Sequence, residues 1–405
     1  MYLPKISRSF LMKYLAVIVA VSPIFSGYWI PGFPIMPVAD ILLILGYAAI
    51  LIKCFPKIKV GFPALCFFIY VVLRQLFTVF NFSYSNFSSA VHVAFYYFFF
   101  AFILANVKQK DFDLKPVLIV AAISSLFIIF QTIVYYTIGK YPTGILPFFE
   151  HAAHVEEYAN SVNDGTTVIP FRPRSLFSEP STFANYVAIA LSVSLPKITK
   201  SRKMLILSLI YTAGLLVSLS STGIILCAGL WVIYGFVLIL PKLKKVEMTV
   251  VVDYVKLHKR RVLIISIAVF VLCVAVACTP WFATFVDHTI NGGFMNRMGN
   301  VFKGFAINNS FLTVLFGQGA IEIDYFVPEF VSIFVYWGIL GYALVLANMR
   351  TLFCVKSKEN LNLIFVCFAL FAIGGFMATA FSPYTFYVIH AARIDRTSLD
   401  IENNT

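Results

Sequence analysis

Residues 116–138 read Pro-Val-Leu-Ile-Val-Ala-Ala-Ile-Ser-Ser-Leu-Phe-Ile-Ile-Phe-Gln-Thr-Ile-Val-Tyr-Tyr-Thr-Ile, with no acidic or basic side chain. Coiled as an α-helix, a run of this length crosses ~30 Å of hydrocarbon. Similar runs fall near 10–30, 38–54, 61–80, 88–106, 176–196, 204–220, 222–240, 262–282, 326–347 and 362–382. The pattern predicts an all-α, polytopic integral membrane protein with about eleven transmembrane helices. A short twelfth helix or a re-entrant segment around Phe381 to Ala392 stays open. Composition agrees: 60% of the 405 residues are hydrophobic and 12% charged, with mean hydropathy +0.88. A water-soluble domain has no interior large enough to hide so much apolar surface. Forty-three Phe and twenty-one Tyr suit lipid-facing helices with aromatic ends. The first run has the length of a spanning helix and no small-residue cleavage pattern after it, so it reads as a retained first helix.

The net charge of +13 follows topology, not a nucleic-acid partner. With a cytoplasmic N-terminus, twenty-three of the thirty-one basic residues fall in inside segments, as the positive-inside rule expects. Two long outside loops remain, 139–175 and 283–325, polar and without a pattern strong enough for an independent domain. Long loops of this kind carry function. The seven cysteines (54, 66, 227, 273, 278, 354, 367) lie in apolar runs or basic loops and give no disulfide framework.

Eight basic residues depart from the inside segments: Arg74, Lys140, Arg172, Arg174, Arg297, Lys303, Arg393 and Arg396. Arg74 lies within an apolar run, where an unpaired charge costs at least ~2.5 kcal/mol, so it faces a polar cavity or an anionic partner, pairs with Asp40, or snorkels to the interface. In Phe-Arg-Pro-Arg-Ser-Leu-Phe-Ser-Glu-Pro-Ser-Thr-Phe-Ala-Asn-Tyr (171–186), Pro170 and Pro173 hold the backbone extended. Arg172 and Arg174, two residues apart, then point the same way. Ser178 or Glu179 caps the helix that follows, with Pro180 in its first turn, and the positive end of the helix dipole lies beside both guanidinium groups. Such a place suits a phosphate or pyrophosphate. Glu179 is placed to accept a proton from a sugar hydroxyl, or simply to pair with an arginine.

Arg297 and Lys303, in Asn-Arg-Met-Gly-Asn-Val-Phe-Lys-Gly, form either a second cationic surface or a pair of solvated loop charges drawn to lipid headgroups. His151, His154, Glu156 and Glu157 have ligand-like spacing in a polar loop, and Glu322-Ile-Asp324 resembles the acidic pair of some membrane sugar transferases. Chance clustering is the stronger reading of both. Ser218 to Gly223, Gly338 and Gly341 read first as close helix packing. No nucleotide-binding loop, serine elbow or zinc signature occurs.

Arg-Pro-Arg-Ser-Leu-Phe-Ser-Glu-Pro-Ser-Thr-Phe-Ala, Leu-Ser-Ser-Thr-Gly, Phe-Gly-Gln-Gly and Trp-Gly-Ile-Leu-Gly together resemble the O-antigen polymerase (Wzy) family, within the wider group of polymerases and O-antigen ligases. The resemblance covers most of the topology and about forty residues of motif. It implies a bacterial inner-membrane glycosyltransferase working on the periplasmic side. Such an enzyme moves the growing glycan from undecaprenyl pyrophosphate onto a new undecaprenyl-pyrophosphate-linked repeat unit, and a chain-length regulator is an expected partner. The family's pyrophosphate-holding arginines carry over to Arg172, Arg174 and Arg297, with Arg74 added from its place in the span and Lys303 as a weaker candidate. Many relatives, the ligases above all, have a His-Asn pair where this chain reads Ile-Asp-Tyr-Phe (323–326). That departure leans against a ligase and leaves the role of Asp324 and Tyr325 open. Because pyrophosphate is already a good leaving group, cations and one base suffice, so the expectation is a single displacement with no metal or cofactor and Glu179 as base. The rivals are an O-antigen ligase and, in another class, a lipid-oligosaccharide flippase or transporter.

Overall fold

Lys115–Ile138 is one uninterrupted helix, closed by Gly139 in the left-handed region (φ 72°), whose N–H caps the Tyr135 carbonyl. It belongs to a computed structural model that describes residues 8–54, 57–77, 91–92, 94–96, 98, 106, 112–151, 153–165, 171–243, 295–319, 321, 327–353, 361–373 and 381–394. The described chain is mostly helical: α1 (Arg8–Val21), α2 (Val38–Cys54), α3 (Phe62–Phe77), α4 (Lys115–Ile138), α5 (Ala153–Asn163), α6 (Pro180–Ser194), α7 (Arg202–Val217), α8 (Ser221–Leu243), α9 (Met295–Ile307), α10 (Phe311–Phe316), α11 (Glu329–Phe353), α12 (Leu361–Ile373) and α13 (Phe381–Ile394). Lys115–Ile138, Ser221–Leu238 and Glu329–Ala347 are long and apolar enough to cross a membrane. Phe10–Val21, Val38–Ile52, Phe62–Leu76 and Leu361–Ala372 are shorter apolar helices. The runs at 88–106 and 262–282 fall largely or wholly outside the described residues.

One expectation needs correction. The run 10–30 is not a single helix: α1 ends at Val21, a 3-10 turn follows at Ile24–Gly27, and Tyr28–Ile30 form strand β1. The break follows Pro23, which has no N–H to give to the helix ladder. The loop 139–175 has local order. It contains α5 and a short strand β3 (Glu150–His151), which pairs antiparallel with β1, while β1 pairs on its other edge with β2 (Phe33–Pro37). Glu150 Oε1 accepts the Gly32 N–H (3.1 Å) and so holds the β1–β2 turn to the loop. At the C-terminus Phe381–Ile394 is a helix, α13.

At the centre stands α6, in contact with α4, α7, α8, α12 and α13. From Phe183 to Ser194 every side chain but Asn185 is buried, as expected of a helix apolar on all faces. Gly223 of α8 lies so close to α6 that an added Cβ would stand 2.9 Å from the Ala184 Cβ, which accounts for the small residues of 218–223. Tyr186 stacks on Tyr384 of α13 (centroids 4.3 Å apart), and their hydroxyls donate to the Ala20 and Tyr186 carbonyls. Buried phenols are tolerated because each finds an acceptor.

A second group of helices is built around a break. Gly338 (φ 62°, ψ −166°) interrupts α11 in a region open essentially to glycine alone. The freed carbonyls on its N-terminal side are satisfied from outside the helix: Val335 accepts from Gln318 N–H, Tyr336 from Gly319 N–H, and Phe334 from Asn308 Nδ2. Gly317 and Gly338 cross backbone to backbone, and a Cβ on either would meet main-chain atoms of the other's segment within 2.5 Å. The two glycine motifs singled out separately in the sequence are therefore halves of one joint.

Candidate anion site

Arg172 and Arg174 sit in a turn set into the helix bundle. Phe171 anchors its start, stacked on Tyr135 (3.8 Å) and edge-on to Tyr141 (5.3 Å). The Tyr158 hydroxyl of α5 then pins Arg172 by its main chain, accepting its N–H (2.8 Å) and donating to its carbonyl (3.3 Å). Ser175, at φ 57°, turns the chain back, with its N–H on Gln131 Oε1 (2.9 Å) and its hydroxyl on the Ser124 carbonyl (2.7 Å), both from α4. Gln131 lies seven residues before the end of α4, so the turn is held about 10 Å below that end. Gly144 permits this, since a Cβ there would stand 2.7 Å from the Ser175 carbonyl oxygen.

The two guanidinium groups are differently placed. Arg174 is 2% exposed, and it staples two loop segments by donating to the Phe177 and Thr143 carbonyls. Its Nε has no hydrogen-bond partner among the described residues, and among them no carboxylate lies within ion-pair distance of it. What surrounds it is phenolic: its charge acts on Tyr28, Tyr141 and Tyr158. Arg172 is half-buried, its Nε likewise without a partner among the described residues. Burial lowers its pKa, and the neighbouring Tyr158 and Glu179 raise it again, so the group stays charged. Burial pushes the Tyr141 phenol up to about 12, against the opposing charge of Arg174, and raises Tyr158 as well. Near neutrality both are therefore uncharged; the Tyr158 proton is already given to the Arg172 carbonyl, which leaves the Tyr141 hydroxyl able to donate to an anion.

Glu179 is the N-cap of α6 in extended conformation, with Pro180 directly after it. Its carboxylate does not cap the helix, contrary to one expectation. It is exposed, accepts the Ser181 hydroxyl (3.0 Å), and senses Arg172 electrostatically. The structure thus brings Arg172, Arg174 and Glu179 together at the positive end of a fifteen-residue helix.

The remaining candidates lie apart from this turn or outside the description. Arg74 projects from α3 to the α10–α11 joint, where Nη2 donates to the Gly317 carbonyl (2.7 Å) and Nε to Phe316 (3.2 Å). Tyr70 shares its proton between the Phe316 and Trp337 carbonyls. Asp40 instead receives the Tyr96 hydroxyl (2.7 Å) and faces His92 (3.1 Å). Arg74 therefore caps the C-terminal end of α10, a place where a cation opposes the negative pole of the dipole. Beside it an apolar groove of about 480 Å³ runs between Leu73, Leu312 and Leu340. Lys303 is exposed on α9, which also carries Arg297; the Arg297 side chain, Glu322, Asp324 and Tyr325 lie outside the described residues. His151 Nε2 meets Glu156 Oε1 at 3.3 Å.

Sequence reasoning missed Tyr141, Thr143, Tyr158 and Gln131. Gln131 had a signal, being the one amide inside the run 116–138, whereas the others are ordinary loop residues whose role needs the fold. The described residues form a helical chain that has apolar helices of membrane-spanning length and a buried cationic turn. Comparison with known proteins returns no match, either to a family model or to a curated protein.

Proposed function

We propose that the protein is a polyprenyl-pyrophosphate-dependent glycan polymerase of the bacterial inner membrane, with about eleven spans and its anion site on the periplasmic side. It transfers a growing glycan from its undecaprenyl pyrophosphate carrier to a hydroxyl of a new lipid-linked repeat unit. One observation carries the reading: Arg174 is a buried cation without a carboxylate counterpart among the described residues. An uncompensated buried charge is expensive, and an anionic ligand would relieve it. The neighbouring half-buried Arg172, the neutral Tyr141 phenol and the helix N-terminus all favour a phosphate-type anion.

In the bond-forming step the acceptor hydroxyl attacks the anomeric carbon, the bond to the pyrophosphate oxygen breaks, and the leaving charge grows beside Arg172. Glu179, exposed at the rim, takes the hydroxyl proton. Deleting the gene from its native host tests the reading: surface lipopolysaccharide should carry one repeat unit in place of a ladder. Loss of every repeat from the core would indicate a ligase instead.

The break at Gly338 inside a spanning-length helix favours a second reading, a lipid-oligosaccharide transporter, because discontinuous helices line many transport sites. Flipping of lipid-linked repeats by the purified protein in vesicles, without elongation, would select it.

A further inference from the structure

We infer that Gln131 is the positioning residue of the anion site, a latch that sets how deep the Arg172–Arg174 turn sits in the bundle. Its side chain is fully buried, it is the one amide of its helix, and all of its hydrogen bonds go to the loops. Oε1 accepts the Ser175 N–H, while Nε2 donates to the Pro142 carbonyl (2.7 Å) and, more weakly, to the Ser175 carbonyl (3.4 Å). One acceptor and two donors are needed on a planar group, and a primary amide supplies both; the partners also fix which end is oxygen. Ser175 stands next to Arg174 at a positive φ that a serine rarely adopts, so its geometry persists only if surrounding bonds over-determine it. The latch therefore governs the ligand indirectly, through the backbone that carries both arginines.

A carboxylate at this place would face two carbonyl oxygens with no proton to offer, whereas a carboxylic acid would keep one donor and one acceptor. Gln131→Glu should thus be a pH-conditional variant. Its role in ligand binding rests on the reading of the turn as a pyrophosphate holder, so the experiment has two readouts on the full chain in lipid nanodiscs. The first is calorimetric affinity for inorganic pyrophosphate, taken as the variant-to-wild-type ratio at each pH so that the ligand's own ionisation cancels. The ratio should stay near unity at acid pH and fall by about tenfold or more as the acid ionises, the scale of loss expected from a small misplacement of a binding group. The second is hydrogen exchange of the Ser175 amide, corrected for intrinsic rate. It should be slow in wild type and in the variant at acid pH, and about tenfold faster in the variant at alkaline pH. A variant matching wild type in both readouts at every pH overturns the latch. Wild-type protein that ignores pyrophosphate while the amide readout still switches sinks the pyrophosphate reading and leaves the latch standing.

Discussion

Arg172 and Arg174 look equivalent in the sequence, and the structure says they should fail differently when neutralised. The Arg172 guanidinium makes no hydrogen bond among the described residues, and its main chain is fastened independently by Tyr158. Arg172→Gln should therefore leave folding nearly unchanged and remove only what the side chain gives a bound anion. A hydrogen bond to a charged group is worth about 1.5–3 kcal/mol, which corresponds to roughly 10- to 150-fold in affinity. Arg174→Leu leaves the Phe177 and Thr143 carbonyls without their donor, at about 1–3 kcal/mol each. Part of that loss is recovered because a buried charge no longer needs desolvation. The expected pair of results is weak binding with a normal melting profile for Arg172→Gln, and weak binding together with lowered thermal stability for Arg174→Leu. Pyrophosphate titration and a thermal melt of the same nanodisc preparation read both. If Arg172→Gln melts early while Arg174→Leu binds and melts as wild type does, the assigned division between ligand contact and loop staple is wrong.

Three further outcomes are expected. Gly338→Ala forces a side chain into a glycine-only conformation, costing about 1–3 kcal/mol, and drives its Cβ to 2.5 Å from Gly317 N and the Leu315 carbonyl oxygen, so unfolding in mixed micelles should shift strongly. Gly235→Ala, a helical glycine with open space around it, should shift slightly the other way, and equal effects from the two would refute the account of the joint. Tyr141, raised to about 12, keeps its proton when folded, so its contribution to stability is whole below about pH 10 and is lost as pH climbs toward 12; in Tyr141→Phe the alkaline decline should be shallower. In an in vitro elongation assay Glu179→Gln should abolish transfer and Arg172→Lys should reduce it, and full activity of Glu179→Gln would remove Glu179 from the proton transfer.

Hydropathy made the helices Val38–Cys54, Phe62–Phe77 and Lys115–Ile138 legible because an apolar run is a local property of the side chains. The Pro180 start of α6 was legible for a similar reason, since capping is decided within a few residues. What escaped was long-range pairing of backbone groups. Nothing near Tyr28 announces that it will pair with His151, and nothing near Phe316 announces that its carbonyl will meet Arg74. The run 10–30 misled because an apolar strand and an apolar helix have the same hydropathy, and only Pro23 hints at the difference. For Arg172 and Arg174 the residue types and spacing could be read, but which of them is enclosed depends on Thr143 and Gln131, both distant in sequence.

The pairing of β1 with β3 also has a temporal side. About 120 residues separate Ile30 from Glu150, so on a ribosome adding roughly 5–20 residues per second the first strand waits on the order of 6–24 s for its partner. Through that interval Tyr28 and Trp29 lack their partners on β3, and a chaperone or translocase component able to shield a two-stranded hairpin would have its opportunity then.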